Sequence, residues 1–374
     1  MSESAVLISC SDHYRHRMYL WDRCLQTKGY APRYITSDFD HISKKRFVCE
    51  IPGCVQLPVR AYRKNLSVDR ILSHRQFAKA VKNYLEVQQP KIIVALLPPN
   101  FLTHYLAQYK KAHPDTILIF DIFDLWPETF PSGKAKKLLA PAFSVWAGLR
   151  DRNLAAADHI ATECDLFREK LALTDDAATT VHLCAEPVSI PCQPQLANDR
   201  LVLCYLGAIN NVIGIDQIAE LLQKITPKKP VTLHIIGTGE RQEEFTNRCR
   251  QAGADVIFHG AVYDAVEKMQ IMQQCHFGLN IMKRSVCVGL TMKSVDYFRF
   301  GLPIINNIPA DTERLISRYD AGLSLNDHCA QALISTTNDR CMEMRQNVRS
   351  LYSAYFTEAI AEQKVNRILN NVIN

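Results

Sequence analysis

The segment Gly289–Asn306 contains the residue types and spacing with the most specific chemistry in the chain. A polar loop starting at Gly289 leads into a helix predicted over Lys293–Phe300, so Lys293 stands at the N-terminus of that helix. A positive charge there opposes the helix dipole and costs ~0.3–1 kcal/mol unless an anion is bound. Asp296, one turn further, can accept hydrogen bonds from two hydroxyls, as acidic residues do for ribose. The segment predicts binding of a phosphate-bearing nucleotide; the plainer alternative is an exposed lysine followed by a helix-start carboxylate.

Three other loops follow predicted strands and contain small residues, namely Leu206–Asn211, Ile235–Glu240 and Phe258–Val262. Glycines in such loops allow positive φ and let backbone N–H groups approach a phosphate or a flat base. Each loop alone is also consistent with an ordinary turn, and His259 with a turn histidine whose hydrogen bonds are satisfied. Ligands of open α/β sheets bind beyond the carboxyl ends of the strands, where all four segments are expected to lie.

The elements that must position these residues alternate along the chain. The first half combines apolar strands with amphipathic helices, the pattern of a parallel sheet covered on both faces. The predicted strands there are Ala5–Cys10, Ala31–Thr36, Lys91–Leu97, Thr116–Phe120 and Asp158–Thr162, and the predicted helices are Tyr14–Lys28, Phe101–Ala112 and Asp165–Leu171.

A proline-rich, polar stretch at about residues 187–199 interrupts the alternation, and we interpret it as a linker. The alternation then restarts, with strands predicted at Leu201–Leu206, Val231–Ile236, Val256–His259, His276–Ile281 and Pro303–Asn306, and a helical tail from about Cys341. The predicted fold class is α/β with two doubly wound domains in series. Their expected limits are 1–190 and 195–345, and residues 346–374 are expected to form a helix that packs back on the first domain.

Composition excludes several classes of protein. The 374 residues are 47% hydrophobic and 22% charged, which excludes a disordered or fibrous chain and favours two domains. The apolar stretches are too short to span a membrane, and the short apolar run within Met1–Cys10, which no basic segment precedes, is expected to form a strand rather than a signal peptide. The 13 cysteines are scattered without a CxxC pair, so we expect a reducing, cytoplasmic compartment and no metal site.

The net charge of +6 lies almost entirely in residues 1–190, in clusters such as Lys44–Arg46. Solvated surface is one interpretation, and a surface that meets phosphates or an anionic membrane is the other. The basic residues are not interleaved with aromatic ones, which disfavours nucleic acid as a partner. The sequence also lacks a GxGxxG after its first strand and a P-loop motif, which disfavours NAD and ATP.

At this point the residues show a resemblance to a known family. The strings Leu233–Gly239, Val256–Val262 and Gly301–Ile305 occur in matching order and spacing in the donor domain of GT-B glycosyltransferases, and the second half resembles that domain, closest to the large retaining family 4 group. Asp121–Glu128 is similar to the D-x-x-D-L-W-P-E segment of bacterial members that build surface polysaccharides, and Thr36–Lys44 resembles the same subgroup. The resemblance covers most of the chain. It implies two Rossmann-like domains facing a cleft, a nucleotide-sugar donor in the second domain and an acceptor in the first.

The resemblance and the positions after strands together give the candidate residues. The catalytic candidates are Asp124, Glu128 and Lys293, and the acceptor-binding candidates are His13, Arg17, His41 and Lys44. The donor-binding candidates are Gly207, Ala208, Asn210, Gly237, Thr238, Gly239, His259, Gly260, Lys283, Gly289, Leu290, Thr291, Met292, Lys293 and Asp296. The chain departs from the family pattern where Val288 replaces the first residue of a Glu-x7-Glu pair, and where Asn210, Asn211 and Val212 replace the usual Arg and Lys.

We therefore expect a glycosyltransferase that moves a hexose from a nucleotide sugar, expected to be a UDP-sugar, to a glycan or lipid-linked saccharide in surface or capsular polysaccharide biosynthesis. The resemblance implies retention of configuration, no cofactor and no metal. We expect a cytoplasmic protein with peripheral contact at the inner face of the plasma membrane through its basic first domain, and homo-oligomerisation stays open. The alternatives are a non-catalytic GT-B subunit that binds or activates a partner glycosyltransferase, and a sugar-nucleotide epimerase.

Overall fold

The computed structural model describes residues 3–129, 136–188 and 194–373. Contacts divide the chain into a first unit, Met1–His182 with Ala359–Asn374, and a second unit, Leu183–Glu358. The boundary therefore precedes the expected residue 190, and the chain returns to the first unit at Ala359 rather than at residue 346. Residues 189–193, in the predicted linker, lie outside the described residues.

The first unit contains a parallel sheet with helices between its strands. The strands are β1 (Glu3–Ile8), β2 (Tyr30–Ser37), β3 (Val55–Leu57), β4 (Ile92–Leu97), β5 (Ile117–Ile122), β6 (His159–Thr162) and β7 (Ala178–Thr180), in the order β3-β2-β1-β4-β5-β6-β7. The helices are α1 (Arg15–Thr27), α2 (Val68–Gln88), α3 (Phe101–Ala112), α4 (Lys136–Asp151) and α5 (Asp165–Lys170). The predicted strands and helices of this half lie within a few residues of these bounds.

Helix α2 is the main element that the sequence pattern did not predict. Ser67 caps it by accepting a hydrogen bond from the Arg70 backbone N–H at 3.3 Å. Its apolar residues lie on both faces, since Phe77 is buried whereas Val68 and Ile71 are 71% and 42% exposed. A helix that is apolar on both faces lacks the one-sided periodicity by which amphipathic helices are recognised.

The second unit repeats the same plan. Its strands are β8 (Leu201–Leu206), β9 (Val231–Ile236), β10 (Asp255–Gly260), β11 (Phe277–Asn280), β12 (Ile304–Asn306) and β13 (Gly322–Ser324), in the order β10-β9-β8-β11-β12-β13. The helices are α6 (Ile215–Ile225), α7 (Gln242–Gln251), α8 (Ala265–Gln273), α9 (Met292–Arg299), α10 (Asp311–Tyr319), α11 (Cys329–Ser335) and α12 (Asn338–Tyr355). Every residue of β8 and β9 is buried, which explains their nearly continuous apolar sequences.

The predicted helical tail is divided into α12 and α13 (Glu358–Ile373). Within the first unit, Arg23 of α1 forms an ion pair with Glu362 of α13 at 2.9 Å. Across the described residues, no helix has both the length and the apolar character that crossing a bilayer requires.

Both sheets are doubly wound, as predicted. Strand order reverses on either side of β1, which pairs with β2 and β4, and on either side of β8, which pairs with β9 and β11. In open α/β sheets such switch points are where a crevice opens beyond the carboxyl ends of the strands. The residues after β1 and β4, and after β8 and β11, are therefore the places to look for ligand chemistry.

Candidate functional site

The glycine loops of the second unit touch one another directly. A Cβ added at Gly237, whose φ is +142°, would lie 2.0 Å from the carbonyl oxygen of Gly207. A Cβ added at Gly239 would lie 2.3 Å from the carbonyl oxygen of Ile209. The Gly237 N–H also donates to the carbonyl of Gly260 at 2.7 Å. The loops after β8, β9 and β10 therefore form one closely packed surface that only glycine permits at these positions.

Neighbouring residues fix the loop after β8. The Tyr205 hydroxyl donates to the carbonyl of Ala208 at 2.9 Å, and the Ile209 N–H donates to the carbonyl of Thr238 at 2.9 Å. The Asn210 side chain accepts from the Val212 N–H at 3.1 Å, so it stabilises its own turn. Of the sequence candidates, Ala208 and Thr238 thus act here through their backbone carbonyls and Asn210 through its side chain.

Lys293 lies at the start of α9 and points toward the loop after β8. Its Nζ lies 4.6 Å from the centre of the Tyr205 ring, and its Cε is 3.8 Å from where a Gly207 Cβ would stand. Among the described residues it has neither an ion-pair partner nor a hydrogen-bond partner for its ammonium group. Burial lowers its pKa to about 8. A half-buried cation without an acidic partner among the described residues, beside a glycine loop and a helix N-terminus, is well placed to bind an anion.

A buried polar network holds the start of α9 in place. Thr291 caps the helix by accepting from the Ser294 N–H at 3.0 Å, and its hydroxyl donates to Asn280 Oδ1 at 3.2 Å. Asn280 is fully buried at the end of β11 and donates to Ser294 Oγ at 3.0 Å and to Asn306 Oδ1 at 2.8 Å. Because each member is satisfied, the network fixes the helix terminus relative to two strand ends.

The remaining residues of the segment before α9 have different environments. The carbonyl of Gly289 accepts from the Thr312 N–H at 2.9 Å and hydroxyl at 2.7 Å, which anchors the loop to α10. Leu290 is 3% exposed and packs inward, whereas Met292 is 59% exposed. Met292 is therefore open to a ligand.

Asp296 lies one turn after Lys293 on α9. Burial raises the pKa of its carboxyl, and its carboxylate has no ion pair or hydrogen bond with the described part of the chain. A half-buried carboxylate without donors is suited to accept hydrogen bonds from ligand hydroxyls. The structure thus places Lys293 and Asp296 on one helix, and neither forms an ion pair with a described residue, although Lys268 and Arg299 attract the Asp296 carboxylate from further away.

His259, near the end of β10, forms a stacked pair with His234 of β9. The rings stack with centroids 5.1 Å apart and an interplanar angle of 11°, and Nδ1 of His234 lies 2.9 Å from Nε2 of His259. Burial lowers the pKa of both imidazoles. His259 is therefore hydrogen-bonded, as the turn-histidine alternative expects, and the half-buried ring also offers a flat surface.

Lys283 is exposed on the loop after β11. Its backbone N–H donates to the carbonyl of Val212 at 2.9 Å, which joins that loop to the one after β8. No contact brings its ammonium group to Lys293 within the described residues, so the two lysines do not form one cluster.

In the first unit, Asp124 and Glu128 follow β5 and are both engaged by neighbours. Asp124 accepts from Trp126 Nε1 and Thr129 Oγ1, each at 2.5 Å, and burial raises the pKa of its carboxyl. Glu128 accepts two hydrogen bonds, at 2.7 and 3.0 Å, from Arg150, whose side chain is 1% exposed. These contacts favour positioning of Trp126 and Arg150 rather than direct action on a substrate.

Arg17 differs from our expectation of an acceptor contact. It is 5% exposed and pairs with the buried Asp121 through Nε at 2.7 Å and Nη2 at 2.9 Å. Its Nη1 donates to the carbonyl of Val181 at 2.6 Å, and Trp21 also donates to Asp121, at 2.6 Å. Every one of these groups is part of the core, so Arg17 joins α1 to β5 and is not available to an acceptor.

A cavity opens at the switch point of the first sheet, with an empty volume of about 460 Å³ including its mouth. We call it the first-unit cavity. It is lined by Cys10, Ser11, Tyr14, Ser37, Phe39, His41, Val59, Tyr62, Arg70, Ser73, His74, Pro98, Pro99 and Trp126.

Of the predicted acceptor residues, His41 lines the first-unit cavity, and His13 and Lys44 contact His41. Burial lowers the pKa of His41 to about 4, and its Nδ1 lies 3.1 Å from the Ser11 hydroxyl. Lys44 donates to the carbonyl of His41 and to the Asn65 side chain, and its Nζ is 4.8 Å from the Tyr62 ring centre. Lys44 therefore supports the wall of the cavity.

His13 packs edge-on against His41, with ring centroids 5.0 Å apart, and its Nε2 lies 2.8 Å from Asp40 Oδ1. Ligand atoms of His13, Asp40 and His41 lie within 4.8 Å of one another, so these residues could hold a metal ion. Asp40 also accepts from the Ser43 hydroxyl at 2.6 Å and the Ile42 N–H at 2.8 Å. Direct hydrogen bonds thus already account for this cluster.

Sequence reasoning missed Arg70 and His74, the two most deeply buried basic side chains of the first-unit cavity, at 4% and 6% exposure. Both come from α2, which was not predicted. The signal that was available is the spacing of Arg70 and His74, which places them on one helix face four residues apart.

Comparison with known proteins agrees with this architecture. Residues 200–339 match the family model described as glycosyl transferases group 1. The chain is similar to the solved sucrose-phosphate synthase from Thermosynechococcus elongatus, with 12% identity, a TM-score of 0.71 and 99% of each chain covered. It is also similar to the lipopolysaccharide outer core galactosyltransferase WaaB, with 13% identity, a TM-score of 0.68 and 99% of each chain covered.

A third similar structure is that of HepE from Anabaena in complex with UDP, with 12% identity, a TM-score of 0.66, and 98% of this chain and 99% of that chain covered. No curated protein matches the chain by sequence. The chain therefore has two doubly wound domains, as in the GT-B fold of these similar structures, and residues 200–339 match the glycosyl transferases group 1 model.

Proposed function

We propose that the chain transfers a hexose from a UDP-sugar to a glycan or a lipid-linked saccharide in the synthesis of a surface polysaccharide, with retention and without a metal. The observation that carries the donor part is the position of Lys293. The ammonium group of this half-buried lysine lies at the N-terminus of α9 beside Gly207 and has no acidic partner among the described residues. The negative charge of a bound diphosphate compensates the positive charge of this ammonium group.

The chemistry of transfer explains why such a group is needed. The anomeric C–O bond breaks through an oxocarbenium-like state, and the leaving diphosphate gains negative charge. A cation and backbone dipoles that are already fixed stabilise this charge more in the transition state than in the ground state. Lys293, the capped terminus of α9 and the glycine loops provide these groups, so the transfer does not require a metal.

Two further observations support a nucleotide as the donor. Asp296 lies one turn from Lys293 and can accept the hydroxyls of a ribose, while His259 presents a flat ring at the neighbouring loop. The HepE structures that this chain resembles contain UDP and UDP-glucose, which supports uracil as the base.

A peripheral contact with an anionic membrane is part of the proposal. Around the start of α2, Leu66, Val68 and Ile71 are 49%, 71% and 42% exposed. Arg63 and Lys64 precede them and are exposed. Exposed apolar side chains beside basic ones are typical of surfaces that lie on lipid headgroups.

A non-catalytic GT-B subunit remains the second candidate. Val288 stands where the family pattern has an acidic residue, and Asn210 and Asn211 stand where basic residues are usual. Such a subunit would bind a nucleotide without transferring a sugar.

Thermal unfolding with a panel of UDP-, GDP- and CMP-sugars tests the donor class. We expect UDP-sugars to raise the melting temperature most, by the equivalent of ~2.7 kcal/mol at about 100 times the dissociation constant. Release of free UDP when a lipid-linked saccharide is added supports transfer. Stabilisation without release, whatever the acceptor, supports the non-catalytic subunit, and no stabilisation by any nucleotide sugar contradicts the proposal.

A further inference from the structure

Tyr297 is a fully buried tyrosine of α9, one helical turn after Lys293. Residues four apart in a helix share a face, so both side chains leave α9 in the same direction. For Lys293 the neighbours on that side are Tyr205 and Gly207, at the end of β8. Tyr297 therefore extends from the helix of the candidate diphosphate site toward the strand that precedes the first glycine loop.

The hydroxyl of Tyr297 is hydrogen-bonded to the backbone of two strands. It accepts from the N–H of Leu206 at 2.7 Å, and as a donor it lies 3.2 Å from the carbonyl oxygen of Cys204 and 3.3 Å from that of Leu279. Burial raises the pKa of this phenol well above its usual range, so the hydroxyl keeps the proton that it donates. Because Leu206 directly precedes Gly207, one hydrogen bond links α9 to the start of the glycine loop.

This hydroxyl lies where β8 and β11 separate, at the switch point of the second sheet. The two strands pair at Leu203 with Phe277 and at Cys204 with Gly278, although both strands continue beyond these pairs. A buried backbone N–H that leaves a sheet ladder needs another acceptor, and for Leu206 the phenol oxygen is that acceptor. Tyr297 thus bridges the two strands at the point where their own pairing ends.

The ring of Tyr297 requires a glycine on the neighbouring strand. A Cβ added at Gly278 of β11 would lie 2.7 Å from both Cδ1 and Cε1 of the ring. Gly278 is not one of the residues with a positive φ, so the glycine is needed for space and not for its backbone conformation. The ring is therefore packed flat against β11, which fixes the direction in which the hydroxyl points.

We propose that Tyr297 is a positioning residue for donor binding: its hydroxyl holds α9 against the end of β8, so that Lys293 lies beside Gly207, where the donor diphosphate binds. The inference rests on the proposed function, since it explains how the ammonium group of Lys293 is held in place. Tyr297 is fully buried, so it acts through Lys293 and not on the donor itself. A cation that is fixed before the ligand arrives binds the ligand more tightly than a mobile one, because less freedom is lost on binding.

A tyrosine that only filled the core would give a different result when its hydroxyl is removed. UDP and uridine would then lose affinity to the same extent, and the loss would not depend on Lys293. A residue that positions Lys293 affects the diphosphate alone, and its effect disappears once the ammonium group is absent. A double-mutant cycle with Lys293 therefore separates the two roles.

Calorimetric titration of the full-length protein with UDP and with uridine measures this cycle in wild type, Tyr297→Phe, Lys293→Ala and the double variant. We expect Tyr297→Phe to bind UDP about five- to tenfold more weakly than wild type and uridine within about twofold. In the Lys293→Ala background, Tyr297→Phe should change UDP affinity less than about twofold. Wild-type UDP affinity in Tyr297→Phe, an equal loss for UDP and uridine, or an undiminished loss in the Lys293→Ala background overturns the inference.

Thr226→Val is the matched control, because it also removes one hydroxyl that is hydrogen-bonded to the backbone of the second unit. The Thr226 hydroxyl donates to the carbonyl of Ala252 at 2.8 Å, at the C-terminal end of α6. That end of α6 leads back to the start of β9, at the opposite edge of the sheet from the glycine loops. We expect Thr226→Val to keep UDP affinity within about twofold of wild type. A loss as large as that of Tyr297→Phe would show that lowered stability alone weakens binding, which overturns the inference.

Failure of the two proposals can be told apart. If UDP does not bind wild type, the donor proposal fails, and amide hydrogen exchange in the free protein then tests whether Tyr297 holds α9 against β8. The amide of Leu206 should exchange about tenfold faster or more in Tyr297→Phe, while that of Val202, which donates to His276 Nδ1 at 3.0 Å, should not change. Unchanged exchange at Leu206 overturns the inference.

Gly278→Ala is used if Tyr297→Phe does not fold. It keeps the hydroxyl of Tyr297 but displaces the ring, since the added methyl group would lie 2.7 Å from two ring carbons. We expect it to bind UDP about threefold more weakly or less tightly still, with uridine within about twofold. Wild-type affinity for UDP in a folded Gly278→Ala protein overturns the inference.

Discussion

The ammonium group of Lys293 lies 4.6 Å from the centre of the Tyr205 ring. The aromatic ring thus occupies the position beside the ammonium group that a carboxylate would occupy in an ion pair. A cation–π contact of this kind contributes ~0.5–2 kcal/mol, less than a buried ion pair needs to offset its desolvation. The Tyr205 hydroxyl is held by the carbonyl of Ala208 at 2.9 Å, so the ring is fixed. The site therefore holds a lysine in position while leaving its charge available to an anion.

Removing the charge of Lys293 should stabilise the free protein. Its pKa of about 8 in the folded state lies below its ordinary value of 10.5, so between these values the unfolded chain binds more protons. The free energy of unfolding therefore rises as the pH increases from about 8 to 10.5. Below about pH 8 the folded protein bears the full free-energy cost of keeping the charged lysine away from water. Lys293→Met is expected to melt about 2–4 °C above wild type at pH 7, equivalent to about 1 kcal/mol.

Calorimetric unfolding between pH 7 and 9.5 measures this difference, and the advantage of Lys293→Met should shrink as pH rises. Lys228→Met, at an exposed lysine between α6 and β9, serves as the control and should show no such trend. A Lys293→Met protein that is less stable than wild type at pH 7 would show that an unrecognised partner compensates the lysine.

Gly237→Ala should disrupt the interlocked loops of the second unit. The new Cβ would meet the carbonyl of Gly207 at 2.0 Å, at a φ of +142°. Gly29→Ala is the matched control, because its φ is +84° but nothing lies within 4 Å of the added Cβ. We expect both variants to lose about 1–2 kcal/mol from backbone strain, and Gly237→Ala alone to lose about tenfold or more in UDP affinity. Equal UDP affinities in the two variants would show that the close approach of the loops is unimportant for binding.

Arg17→Met should destabilise the first unit by about 3–5 kcal/mol, because it leaves Asp121 buried with an uncompensated charge. Urea unfolding measures the loss, and UDP affinity should not change since the second unit is untouched. If Arg17→Met kept wild-type stability but lost acceptor binding, the result would support the sequence-based prediction that Arg17 contacts the acceptor.

Asp124→Asn should act on acceptor binding rather than on bond breaking. Asp124 holds the indole of Trp126, a wall of the first-unit cavity, at 2.5 Å. We expect the KM for the acceptor to rise about tenfold while the slow hydrolysis of the donor without acceptor stays within about twofold. Steady-state assays of UDP release separate the two parameters. A fall in donor hydrolysis with an unchanged KM would instead assign Asp124 to the chemical step.

The sequence predicted well those elements whose burial is uniform. β8 and β9 were placed at their observed bounds because all their residues are buried and turn residues follow them. Edge strands of three residues, such as β3 and β7, were missed because three residues are too few to show the alternation of apolar and polar residues that identifies a strand.

The candidate site was predicted where one segment contains all the chemistry. Lys293 and Asp296 lie on the same helix, so local spacing sufficed to place them together. Arg17 was misread because its partner Asp121 is 104 positions away, and no local pattern shows that the two side chains are buried together. Arg70 and His74 were missed because α2 has apolar residues on both faces, so the helix that carries them was not recognised.

The central claim is that Lys293 binds the diphosphate of the donor, and calorimetric titration with UDP and with uridine tests it most directly. Wild type, Lys293→Ala and the control Lys228→Ala are each titrated with both ligands at neutral pH. We predict that Lys293→Ala binds UDP about 10- to 100-fold more weakly than wild type does, that its affinity for uridine is unchanged, and that Lys228→Ala behaves as wild type with both. Wild-type affinity for UDP in the Lys293→Ala variant would contradict the account.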